Sequence, residues 1–294
     1  MRYSPLRHST PKPSQVWKLD CLSRIPDKIR QHQVAVFAYI RGCEQGRLPL
    51  KRKKRFAALA LLTAVAIAAA TQRAYHSYLI SLDYADPPNG MVLVPPGNFL
   101  MGTNNPEASQ DEKPTRKRFL PAFYIDTYEV TNAEFQAFDP THAYAEGKED
   151  IPATGITLQE ARDYAASVGK RLPTKAEWEK AARGTDGRDY PWGNEFRDGI
   201  ANINRQQGLT AVGTHPKSVS PYGAHDMIGN AWEWVDDTHR DGGLLTGRKI
   251  IEREIIKGGG YSYSPYQARI SYNGFEGVGS TCNDVGFRCA QDAD

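Results

Sequence analysis

The sequence predicts an α+β domain with little regular secondary structure, carried behind a single transmembrane helix. Three observations lead there. Capping boxes mark three short helices between residues 131 and 183. After Gly184 the chain turns rich in Gly, Asn, Pro and aromatic residues, with few long periodic segments. And five consecutive basic residues, Lys51–Arg55, run straight into the uncharged stretch Phe56–Ala70.

Charge separates the chain into parts. Residues 1–55 hold 14 Lys+Arg against 3 Asp+Glu, net +11, so the total of +3 leaves −8 for residues 56–294. The basic excess therefore belongs to the N-terminal segment, and a nucleic-acid-binding domain is excluded as the main reading. At 294 residues the prior is one or two domains. We divide the chain into a cytoplasmic basic segment (1–50), an anchor with its basic flank (51–80), a linker (81–90) and one domain (91–294). Ser4–Ser14 has three prolines and no apolar period, so it reads as disordered; Val34–Ile40 is a short apolar helix or strand without assignable chemistry.

Phe56–Ala70 rises about 22 Å as a helix, short of the roughly 30 Å hydrocarbon layer. Arg73 can snorkel, and Tyr75, Tyr78 and Leu79 extend the span as interfacial anchors. Five basic residues before the run and one after it predict a single pass of the cytoplasmic membrane, N-terminus inside and domain outside. The competing reading is a cleaved leader with Ala68–Ala70 as the small-residue site, for which 50 preceding residues are too many.

Within the domain, Met91–Val94 reads as the first strand, turned by Pro95-Pro-Gly97. Thr131 with Glu134, Thr157 with Glu160 and Thr174 with Glu177 each place a hydroxyl at N-cap and a carboxylate at N3. The second helix runs from Leu158 to about Val168 and stops at Gly169; the third runs from Lys175 to Arg183 and stops at Gly184. These glutamates are caps rather than catalysts. Gly229-Asn-Ala-Trp-Glu-Trp234 follows: in an extended strand Trp232 and Trp234 share one face and Glu233 takes the other. Such aromatics belong in the core wall.

Of the four cysteines, Cys21 and Cys43 precede the apolar run, and Cys282 and Cys289 lie near the C-terminus. Neither pair has a short zinc spacing. If the domain is exported, Cys282 and Cys289 form a local disulfide; in the cytosol they are two reduced thiols. Gly258-Gly-Gly260 lacks the strand–loop–helix context and Lys-Ser/Thr of a nucleotide loop, and no serine sits in a nucleophile elbow.

The landmarks Met91–Gly102, Tyr128–Phe135, Arg171–Arg183, Pro191–Asn194, Tyr222–Val235, Lys257–Ser262 and Val285–Cys289 occur in one order. In that order they resemble the formylglycine-generating enzyme, or sulfatase-modifying factor, family over roughly residues 90–292. The resemblance implies a C-type-lectin-like α+β fold. In the family's enzymes two cysteines bind copper and oxidise a sulfatase cysteine to formylglycine. Tyr263 and about Ala268 occupy those positions here. A soft Cu(I) ion needs thiolates, so no copper is expected.

The resemblance also places a calcium site on the carboxylates of Asp226 and Glu233 and the carbonyls of Gly229 and Ala231, an all-oxygen set suited to a hard cation. The competing reading makes Glu233 a local cap or salt-bridge partner. A first family calcium site begins at Asn202-Ile203 but lacks its downstream acid in Asn204–Gly213. Cys289 matches a family disulfide half whose partner position is here about Ala182, leaving Cys282 as the local partner. Another branch uses iron with a His-rich helical domain; no HxxxH pair with a nearby acid occurs here.

These residues imply a membrane-anchored accessory, scaffolding or maturation subunit that binds a protein partner, possessing structural calcium and no copper chemistry. Two alternatives stay open. One is an oxidative maturation enzyme, formylglycine-generating-like or cofactor- or siderophore-maturing, using a different site; the other is a C-type-lectin-like glycan binder.

Overall fold

The computed structural model describes residues 86–204, 207–243 and 248–293. Val34–Ile40 and the expected anchor Phe56–Ala70 lie outside them. No helix among the described residues is long and apolar enough to cross a membrane.

Among the described residues the expected first strand and three helices form, and nine strands make three sheets. β1 (Met91–Val94) pairs antiparallel with β4 (Phe123–Asp126), and β4 pairs with β9 (Ala290–Asp292). β2 (Gly97–Met101) and β3 (Arg116–Leu120) make a separate two-stranded ribbon. The third sheet has the order β7-β6-β5-β8, from β5 (Trp232–Gly243), β6 (Arg248–Lys257), β7 (Gly274–Gly277) and β8 (Val285–Gly286). Only the short β5–β8 pairing is parallel in that sheet.

Helices α1 (Asn132–Phe138), α2 (Leu158–Ser167) and α3 (Lys175–Arg183) start where the capping boxes put them. In each, the threonine hydroxyl accepts from the N3 amide while the N3 glutamate reaches back to the N-cap amide. Two orphan donors are thus satisfied at each start. α3 ends at Gly184, whose φ of 75° is the left-handed conformation a side chain resists. Every residue of α3 after Lys175 is buried, including Glu179, Lys180 and Arg183.

The β5–β6 hairpin corrects the expectation of irregular backbone throughout the second half. The described residues of 185–231 carry no regular helix or strand, but two strands of twelve and ten residues follow. Their outer part is strongly charged, Asp236–Asp241 facing Arg248–Glu254, which hides the two-residue apolar alternation. The core lies on both sides of β5. Trp232 and Trp234 pack with Val130, Phe135, Ile156 and Phe287 on one side. On the other, Trp178, Met227, Ile228 and Val235 join Phe99, Phe123 and Ile125.

Candidate functional site

The hexapeptide does what its alternation demands. Trp232 and Trp234 share one apolar cluster, and Trp234 Nε1 donates to the Ile156 carbonyl at 2.9 Å. Glu233 turns to the other side and meets buried charge. Arg288 grips it with two prongs, Nε to Oε2 at 2.8 Å and Nη2 to Oε1 at 2.7 Å, while Trp178 Nε1 donates to Oε2 at 2.7 Å. Both charged side chains are fully buried. The remaining guanidinium donors reach the carbonyls of Asp126, Thr127 and His225. Such a charge pair holds only when every donor and lone pair is used.

Arg288 is outnumbered. Glu129 and Asp226 are buried beside it. Burial, then the charge of Asp226, pushes the Glu129 carboxyl well above the usual carboxylate range. Asp226 is raised as well, again by burial first, although Gly213 N donates to its Oδ2 at 2.7 Å. Glu129 Oε1 accepts from Asn230 Nδ2 at 3.1 Å, yet Oε2 is buried without any partner. An orphaned carboxylate oxygen in the interior is costly. Three carboxylates thus share one guanidinium.

The loop between them is strained into shape. Asp226 and Asn230 take positive φ of 52° and 60°, which Asn and Asp tolerate best. Asn230 repays the strain through its amide, accepting from Thr210 N at 2.9 Å and Asn202 Nδ2 at 3.2 Å. Gly229, φ 78°, sits so close to the Asn202 carbonyl that a Cβ would fall 2.5 Å from it.

Of the expected calcium ligands, Asp226 and Glu233 therefore do converge, with Gly229 and Ala231 between them in the chain. Glu233, however, already accepts three hydrogen bonds. Among the described residues no three His, Cys, Asp or Glu side chains are gathered as a metal site. Sequence reasoning passed over Glu129, Arg288 and Trp178. The signal for Glu129 was present: an acid between Tyr128 and Val130 at the entry to a helix that caps itself with other residues.

The second region is the Tyr263 face. Tyr263 stands edge-on to Trp232, ring centroids 5.2 Å apart, and burial followed by Asp284 raises its hydroxyl pKa. Ala268 is wholly buried, and a Cβ on Gly259 would come 2.9 Å from its Cα. These are, to within a residue at Ala268, the two places expected from the resemblance to hold cysteines, and they hold a phenol and a methyl.

Cys282 and Cys289 are both free thiols in the structure, so the expected local bridge is not made. Each is turned to a different acid. Cys289 is buried in the aromatic cluster, its N–H donates to Asp126 Oδ2 at 2.8 Å, and burial pushes its thiol up. Cys282 is half-buried, and burial, with Glu276 next, lifts it to about 11. Neither is poised as a nucleophile.

The comparisons with known proteins follow this geometry. The model of the sulfatase-modifying factor enzyme 1-like domain matches residues 79–293. The formylglycine-generating enzyme of Bos taurus is 31% identical over 287 residues, spanning 70% of this chain and 75% of its own. The mouse (Mus musculus) protein named inactive C-alpha-formylglycine-generating enzyme 2 is 27% identical over 283 residues, spanning 73% of this chain and 89% of its own. The structure of PvdO from Pseudomonas aeruginosa superposes with a TM-score of 0.58 at 25% identity, over 69% of this chain and 94% of that one. With its motifs in order, its Trp-Glu-Trp strand locked to Arg288 and its length matched from residue 79 to 293, this chain belongs to the sulfatase-modifying factor enzyme 1-like family.

Proposed function

We propose that this chain is a non-catalytic member of the family, an accessory, scaffolding or maturation subunit that binds a partner protein. The observation that carries the reading is the pair Tyr263 and Ala268, a phenol set edge-on to Trp232 and a buried methyl, at about the two positions to which the resemblance assigns the copper-binding cysteines. Tyrosine binds a metal well only once deprotonated, and burial here works against that. The remaining thiols do not substitute, since Cys289 is shut in the core behind Asp126 and Cys282 is held protonated beside Glu276. The likeness to a mouse relative named inactive supports the same reading.

The test is chemical. Purified protein, supplied with copper, reductant and a cysteine-containing sulfatase peptide, leaves the peptide mass unchanged. Conversion of thiol to aldehyde by the wild-type protein overturns the reading and favours the oxidative maturation enzyme instead. The Tyr263→Cys/Ala268→Cys variant gains Cu(I) binding that wild type lacks.

The reading includes a structural calcium ion. What supports it is the buried Glu129 oxygen without a partner, beside the buried carboxyl of Asp226. Glu129 and Asp226 would hold it with the carbonyls of Gly229 and Ala231, and Glu233, held by Arg288, would orient the loop from behind. When bound, calcium supplies charge neutralisation and no redox chemistry.

The reading also includes the anchor, Phe56–Ala70, with the domain outside the cytoplasmic membrane. Protease added to intact spheroplasts removes the domain from residue 90 onward and spares residues 1–50. Digestion of the N-terminal segment instead reverses the topology.

A further inference from the structure

A cleft of ≈ 500 Å³ opens between the β2–β3 ribbon, the start of α3 and the β5 strand, well within the range of small-molecule sites. Its lining is lopsided in charge. Lys113, Arg116, Lys117, Arg118 and Lys175 line it, Arg116 and Arg118 on the Met101 face of β3 and Lys117 on the other. So do Asp111, Glu112 and Glu179, but these acids are already spoken for. Glu179 pairs with Arg183 at 2.9 Å and takes Gly102 N at 2.5 Å; Glu112 accepts from Ser271 Oγ at 2.7 Å and Arg269 Nη2 at 3.2 Å; Asp111 accepts from Asn273 Nδ2 at 2.5 Å.

The bases have no such partners. Lys113 Nζ donates to the Pro106 carbonyl and Arg118 Nη1 lies 3.6 Å from the Met101 sulfur. Among the described residues none of the five forms an ion pair with a carboxylate. A solvated basic face is the ordinary explanation for one such side chain. Five along one concavity, in a chain whose residues 56–294 carry −8 overall (+3 less +11), is a different matter. Consecutive basic residues on a ribbon edge also mutually repel, a cost that an anion removes.

We infer that this cleft is an anion site for a phosphate-type oxyanion carrying two or more charges. The planar forks of Arg116 and Arg118, on one face of β3, suit bidentate contact with such oxygens, with Lys113 and Lys175 as point charges nearby. The oxyanion comes either from a soluble phosphate ester or from the headgroup of an acidic lipid. Phe119, 61% exposed, shares the other face of β3 with Lys117, where a lipid surface would meet both.

The experiment uses the full chain in neutral detergent and inorganic pyrophosphate as the probe, followed by calorimetry. Wild type binds pyrophosphate, and added potassium chloride weakens the binding. Arg116→Gln/Lys117→Gln/Arg118→Gln lowers the affinity by about tenfold or more, the worth of at least one charge-assisted hydrogen bond. Lys148→Gln, an exposed basic residue outside the cleft, leaves it unchanged, and equal melting curves show that the triple variant is folded. Repeating the titration in mixed micelles containing phosphatidylglycerol separates the sources: unchanged affinity identifies a soluble ester, weakened affinity a headgroup. Absence of pyrophosphate binding by wild type, or equal binding by the triple variant, overturns the inference.

Discussion

Replacing Glu233 by Gln tests whether the buried Arg288 pair holds the domain together. The change keeps shape and volume but removes one charge and one acceptor oxygen. In wild type the carboxylate accepts from Arg288 Nε, Arg288 Nη2 and Trp178 Nε1 at 2.7–2.8 Å, all fully buried. A glutamine oxygen can face only one side, so its amide hydrogens must point at another donor. Breaking a buried ion pair costs about 3–5 kcal/mol. Glu129 and Asp226 still partly balance Arg288, which places the loss near the lower end, about 3 kcal/mol. For a domain of this size, at roughly 2–4 °C per kcal/mol, the melting temperature falls by about 6–12 °C. Circular dichroism melts of the full chain in detergent read this directly. Arg288→Lys keeps the charge and loses the two-pronged grip, and should fall comparably. A shift of Glu233→Gln within about 2 °C would refute the claim that this pair, rather than the surrounding apolar core, fixes the strand.

Other outcomes follow from the same structure. Calcium chelation lowers the melting temperature of wild type, by about 2.7 kcal/mol worth of stability at a hundredfold excess of free calcium over its dissociation constant, and Glu129→Gln abolishes the difference; equal melting with and without chelator removes calcium from the reading. Lys180 is buried with only carbonyl partners, the Pro95 oxygen at 2.5 Å and Gly97 at 3.3 Å, and burial lowers it to about 8 from 10.5. Because the unfolded chain then binds the extra proton, stability rises with pH between about 8 and 10.5, and Lys180→Met makes that rise less steep in urea titrations, the remainder coming from buried Lys257, lowered to about 7. Alkylation in denaturant without reductant modifies both Cys282 and Cys289, whereas native protein reacts slowly at Cys282 and not at Cys289; a protected pair in denaturant would restore the bridge.

The parts of this fold that were legible in the sequence are those set by local chemistry. Thr131, Thr157 and Thr174 cap their own helices, and Trp232 and Trp234 share a face by strand geometry alone. The outer half of the β5–β6 hairpin was not legible, because cross-strand charge pairs such as Arg240 with Glu252 carry no apolar period. Arg288 and Glu129 were quoted within motifs but carried no visible role. Their partners lie 55 residues or more away in the chain, and only the folded backbone brings Glu233 and Asn230 to them. The thiols failed for the same reason: a six-residue gap says nothing of side chains turned to Asp126 and Glu276.

Residues 285–292 finish two sheets at once. β8 lies beside β5, β9 closes on β4, and Arg288 sits between them with its charge in the centre of the domain. These contacts join residues far apart in the chain, Arg288 to Asp126 across 162 positions. Long-range closures of this kind form slowly, since loop entropy must be overcome before any contact rewards it. Folding of the domain therefore waits for β8 and β9. A chain interrupted before residue 285 keeps two open sheet edges, prone to pair with other chains. It also keeps three carboxylates in its interior without the one guanidinium that balances them.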